Sequence, residues 1–156
     1  MLHHLWQLSY ESKTIDILRN SKYAIPLIQS VHLLGLTILL GVTVILNLRL
    51  LGIGMTSFRL PSLSAQLWNW ARGGLFTMII SGFFVFLPDP ARYAANRSFQ
   101  IKVLILIAAI TYQFTIFKRA VRHDPSENKH SALIAVFSLA LWFGVGWAGR
   151  GIAFLG

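Results

Sequence analysis

His32 is the side chain best placed in this sequence to do chemistry. It is the one ionisable residue in an apolar run from Val31 to Leu46. An imidazole inside hydrocarbon is costly to keep and tends to face a protein interior or a cavity. Kept neutral, it offers one donor and one acceptor. It could ligate a metal or haem iron, relay a proton, or hydrogen-bond a quinone carbonyl. Gln29 stands three positions earlier and shares its helical face. Met78 is a thioether in a second apolar run, Lys102 stands near the start of a third, and Arg150 near the end of a fourth. Lys102 and Arg150 could hold the propionates of a haem or another anion.

Four helices must position these groups. The chain of 156 residues is 55% hydrophobic and only 12% charged; a soluble domain carries about twice that charge. Crossing a bilayer takes about 20 apolar residues. Four stretches meet that length, at about 23–51, 64–87, 98–121 and 131–154, with short connections that make sequential neighbours antiparallel. The expected fold is all-α: an integral membrane four-helix up-down bundle spanning 23–156. Residues 1–22 precede it as an interfacial amphipathic helix, with Trp6 and Tyr10 at headgroup level. The runs are continuously apolar rather than alternating, which excludes a β-barrel.

At 1.5 Å per residue, His32 lies roughly 12 Å below one membrane face and Met78 roughly 13 Å below the same face. That half of the bundle is therefore expected to gather Gln29, His32, Met78, Lys102 and Arg150. His123 and His130 belong at the other face, roughly 20 Å from His32 along the membrane normal. They cannot complete a bis-histidine haem with it. A haem would use His32 with Met78, His32 alone, or His32 from two protomers. The plain alternative is that His32 hydrogen-bonds a neighbouring helix while Lys102 and Arg150 reach lipid headgroups.

Trp142 and Trp147 suit a lipid-facing or interfacial position, with cofactor lining as the other role considered for them. Ala140, Gly144 and Ala148 repeat small residues at four-residue spacing, a helix-packing signal and a possible oligomer seam. His3 and His4, and the loop holding His123, Asp124, Glu127 and His130, are weaker metal-binding candidates, more simply read as an exposed tail and a solvated loop.

The formal charge of +9 comes from 14 basic and 5 acidic residues. The basic residues cluster at the ends of the apolar runs, as membrane anchors do, so nucleic acid is not an expected partner. They divide seven to seven between the two faces and leave the orientation open. The absence of cysteine excludes disulfides and thiol chemistry. No phosphate loop, HExxH or nucleophile elbow occurs, so nothing assigns an enzyme activity.

Three segments carry a resemblance: Ser30-Val31-His32-Leu33-Leu34-Gly35, Asn47-Leu48-Arg49-Leu50-Leu51-Gly52, and the stretch from Leu141 to Phe154. They resemble an uncharacterised bacterial family of small four-helix membrane proteins, a domain of unknown function. Tyr93 and Lys102 fit the same pattern. The resemblance implies a multi-pass bacterial inner-membrane location and attention to His32, Lys102 and Arg150. It also implies acidic residues where this chain has Gln29 and Asn47, and an amide cannot titrate.

Together these features predict a cofactor-binding module for haem b or a quinone, serving electron transfer or anchoring a redox partner subunit. The alternative is a transporter component, assembly factor or oligomeric scaffold that binds lipid. Membrane lipids and further copies of the chain are the expected partners in either case.

Overall fold

The computed structural model describes residues 21–123 and 129–155. The N-terminal segment, with His3 and His4, and the loop residues Asp124 and Glu127 fall outside this range. Helix α1 is Ala24–Leu50 and α2 is Leu60–Phe86. A short α3, Pro90–Ala95, precedes α4, Arg97–Tyr112. Helix α4 continues through a π-helical turn, Gln113–Phe117, into α5, Lys118–Ala120. Helix α6 is Ser131–Leu155. The four long elements fall within a few residues of their expected positions; α3 replaces what reads in sequence as a plain loop.

The helix ends follow from local chemistry. Pro61 occupies the first turn of α2, where a missing N–H loses no helical bond. Gly52 follows α1 with φ +75, a left-handed conformation that suits glycine. Asn96 caps α4, its side-chain oxygen accepting from the N–H of Ser98 at 2.9 Å and of Phe99 at 3.2 Å. Asn96→Ala should therefore lower stability by about 1 kcal/mol. A fall in the thermal midpoint in detergent checks this; an unchanged midpoint would show that the cap contributes nothing.

Among the described residues, three helical stretches are long and apolar enough to cross a membrane: Ala24–Leu50, Arg97–Ala120 and Ser131–Gly149. Helix α2 matches α1 in length but is not among them, because Asn69 and Arg72 interrupt its apolar run. Among the described residues the secondary structure is all helical, and three of the helices suit a membrane. The outer surface agrees: Leu27, Leu34, Phe76, Leu104, Leu133 and Trp147 are all exposed, a patchwork that water would not tolerate.

Helix α1 packs chiefly on α2, and α4 on α6, with α1 also touching α6. Both main pairs are antiparallel, because His32 meets Ser81 while Leu39 meets Gly74, and Lys102 meets Gly149 while Gln113 meets Trp142. The α1–α2 seam is very close. A Cβ built on Gly74 would lie 2.8 Å from the Gly35 carbonyl oxygen and 2.9 Å from the Leu39 nitrogen. A Cβ on Gly35 would lie 3.0 Å from the Gly74 oxygen and the Met78 nitrogen. Only glycine at both positions lets these backbones touch. The small residues of α6 are less tightly used: Gly144 faces Ile105 on α4 at ordinary contact distance.

Candidate functional site

His32 is half-buried, eight positions into α1, with its ring laid against α2. Gly82 makes room for it, since a Cβ there would stand 3.2 Å from the His32 Cε1. The His32 Nδ1 is 3.0 Å from the Ser81 Oγ. Ser81 has one hydroxyl proton and two backbone acceptors on its own helix: the Thr77 carbonyl at 2.5 Å and the Met78 carbonyl at 3.3 Å. The shortest contact takes the proton. Ser81 Oγ is then an acceptor toward the ring, and His32 Nδ1–H is the donor. In a neutral imidazole this leaves Nε2 as a lone pair. The same tautomer logic orients histidine ligands at metal centres, where the non-ligating N–H is held by a neighbouring acceptor.

Lys102 packs on α6, its Nζ 3.6 Å from where a Gly149 Cβ would be. Helix α6 carries Arg150 one residue beyond Gly149, but the Arg150 side chain lies outside the described set. Gln29 is exposed on α1.

Met78 is buried at 4% exposure on the α1–α2 seam. Trp147 is 85% exposed and faces outward, as the aromatic-belt reading expects. Trp142, expected at the lipid or the interface, is instead buried and donates from Nε1 to Gln113 Oε1 at 3.4 Å. It belongs to a different polar group, nearer the opposite face.

An open groove of about 330 Å³ lies between α1 and α2, walled by Leu27, Val31, Ile80 and Phe84, with Ser81 and Thr77 as its polar part and without His32 in its lining. Among the described residues no three His, Asp or Glu side chains gather as a metal site.

The model of a family of unknown function (DUF6644) matches residues 8–155. The chain belongs to this family. Neither the curated proteins nor the solved structures contain a match to it. Membership covers nearly the whole of this DUF6644 chain, while assigning no activity. The functional case therefore rests on the geometry around His32.

Sequence reasoning missed Ser81 and Gly82, which hold the ring. A hydroxyl and a glycine in an apolar helix look like ordinary packing residues. Only the antiparallel register of α1 against α2 brings them opposite His32. It also missed Thr43, Gln113 and Ser138, polar residues that lie within apolar runs. Their common signal is polarity where lipid forbids exposure.

Proposed function

We propose that this membrane protein is a binding module for a lipophilic redox cofactor, with the Nε2 lone pair of His32 as its ligand and haem b as the occupant to test first. One observation carries the reading. The Nδ1–H of His32 is committed to Ser81, whose own proton is taken by α2 carbonyls, so in the neutral ring the remaining nitrogen keeps its electron pair. Packing needs no such donor. The interhelical bond satisfies one edge of the ring and leaves the other edge with its lone pair.

Lys102 would supply a cation for a propionate, with Arg150, one residue beyond Gly149 in sequence, as a second candidate. Met78 is dropped from the ligand set. It packs where the α1 and α2 backbones touch, and a planar macrocycle does not fit into a seam of that width. The ligand set is His32 alone or His32 from two copies of the chain.

A second reading draws on the groove lined in part by Ser81, the hydrogen-bond partner of His32. A lone pair accepts from a hydroxyl and repels a carbonyl oxygen, so within the quinone class the reduced quinol is the preferred guest. Its tail would lie along Leu27, Val31 and Phe84.

We also take α2 as a fourth crossing, because its C-terminal half exposes Phe76, Ile79, Ile80 and Phe83 and because it runs against α1 through the seam. The result is a multi-pass protein of the bacterial inner membrane, with anchoring of a redox partner or self-association as its cellular use.

An absorption spectrum of the protein purified in detergent, before and after titration with haem, tests the proposal. A Soret band that shifts on reduction is expected. Absence of any band together with no haem uptake would sink the haem reading. Tight retention of a quinol in the lipid extract would then point to the second.

A further inference from the structure

A second buried polar centre lies in the other half of the bundle. Thr43, Gln113 and Ser138 each sit seven positions from the far ends of their elements, at Leu50, Ala120 and Ser131, about 10 Å below that face. Asn47 lies one turn beyond Thr43, and Trp142 one turn beyond Ser138. Thr43, Asn47 and Ser138 are wholly buried, with Gln113 at 1% and Trp142 at 4% exposure.

Their hydrogen bonds fix the orientation of both amides. Asn47 Nδ2 donates to the Thr43 carbonyl at 2.7 Å, and a carbonyl can only accept, so the Asn47 amide orientation is fixed. The same Nδ2 donates to Ser138 Oγ at 3.1 Å. Ser138 Oγ in turn donates to Gln113 Oε1 at 3.5 Å. Trp142 Nε1, which can only donate, gives a second bond to that oxygen. The Gln113 amide is thereby fixed as well, with its oxygen used and its NH₂ left over.

Three atoms in this cluster have no hydrogen-bond partner among the described residues: Thr43 Oγ1, Asn47 Oδ1 and Gln113 Nε2. They comprise a hydroxyl, a pure acceptor and a pure donor. Such atoms are expensive to leave unpaired where no bulk water reaches.

We propose that Thr43, Asn47 and Gln113 form an internal binding site for one water molecule. A water held there would accept from Gln113 Nε2, donate to Asn47 Oδ1 and exchange a bond with the Thr43 hydroxyl, within the two to four partners a buried water takes. The site is selective by charge. The Gln113 NH₂ repels a cation, and the Asn47 oxygen repels an anion. Gln113 also opens the π-helical turn. Turns of this kind release backbone from the regular ladder and recur at functional positions, so the water ties the irregular part of α4 to α1.

The test is infrared spectroscopy of the purified protein in H₂¹⁶O and H₂¹⁸O. A narrow O–H stretch of a confined water, shifted by the heavy isotope, is expected in the native chain and in His32→Ala. It should be lost in Gln113→Leu and in Thr43→Val, the latter being nearly isosteric and the safeguard should the former not fold. No isotope-shifted band in the native chain, or a band retained in every folded variant of these two positions, overturns the proposal. Replacing sodium by choline at equal ionic strength should leave the thermal midpoint unchanged. Stabilisation by sodium would identify a cation site and overturn it equally.

Discussion

His32→Ala is expected to abolish haem uptake, removing the Soret band while leaving helicity nearly as it was and lowering the thermal midpoint by only a few degrees. The reasoning runs through the ring's two nitrogens. Nδ1 makes one hydrogen bond to Ser81, and losing a bond of that kind changes stability by about 1 kcal/mol. Nε2 would supply the only protein bond to the iron, and nothing else in the described layer replaces it. Graded variants separate this from a general disturbance. Ser81→Ala keeps the ligand but releases its orientation, and should weaken haem binding by about 10- to 100-fold. Lys102→Gln removes one charge pairing and should weaken binding by about fivefold, the equivalent of roughly 1 kcal/mol. Met78→Leu should change nothing, because that side chain belongs to the seam. Haem affinity by titration is the measurement. Equal affinity in His32→Ala and the native chain would remove His32 as ligand, and a large effect of Met78→Leu would restore the two-ligand arrangement.

Gly74→Val should be the most damaging single change to the fold. Even a Cβ at Gly74 meets backbone atoms at 2.8 and 2.9 Å, and backbone cannot rotate aside as a side chain can. Helices α1 and α2 would have to separate along their principal contact. The penalty is expected at about 3 kcal/mol. It also reaches the site, since the seam holds Ser81 and Gly82 against His32. Gly73→Ala is the matched control one position earlier: a Cβ there meets nothing within 4 Å. It should stabilise the helix by about 0.5–1 kcal/mol. Thermal unfolding of the two variants in the same detergent gives the comparison. Equal effects at the two positions would mean that the close seam does not exist in the folded protein.

Much of this organisation was legible in the residues themselves. The lengths of α1, α4 and α6 follow from apolar runs that only a bilayer accommodates. Pro61 and Asn96 mark helix starts by local hydrogen-bond chemistry that no distant residue alters. The singularity of His32 is likewise visible, because polarity inside such a run stands out against its neighbours. Helix α2 shows where this logic thins: Asn69 and Arg72 lower its apolar character, and composition alone no longer assigns it to lipid. Trp142 shows where it fails. In sequence it looks like Trp147, yet one is buried on Gln113 and the other faces outward. Their five-residue spacing turns them to different sides of α6, and which side is buried depends on where α4 lies.

The sequence by itself determined the helical class, the membrane-length segments and the presence of a lone deep imidazole, since these depend on composition and on interactions a few residues apart. Tertiary structure alone decided that Gly35 meets Gly74, that Ser81 fixes the tautomer of His32, and that Thr43, Asn47, Gln113 and Ser138 converge in one buried cluster. Those pairings join residues from 25 to 91 positions apart, and between α1 and α2 the close approach is one that only glycine at Gly35 and Gly74 permits. Hydropathy records how polar a residue is; the packing of the helices determines which partner it meets.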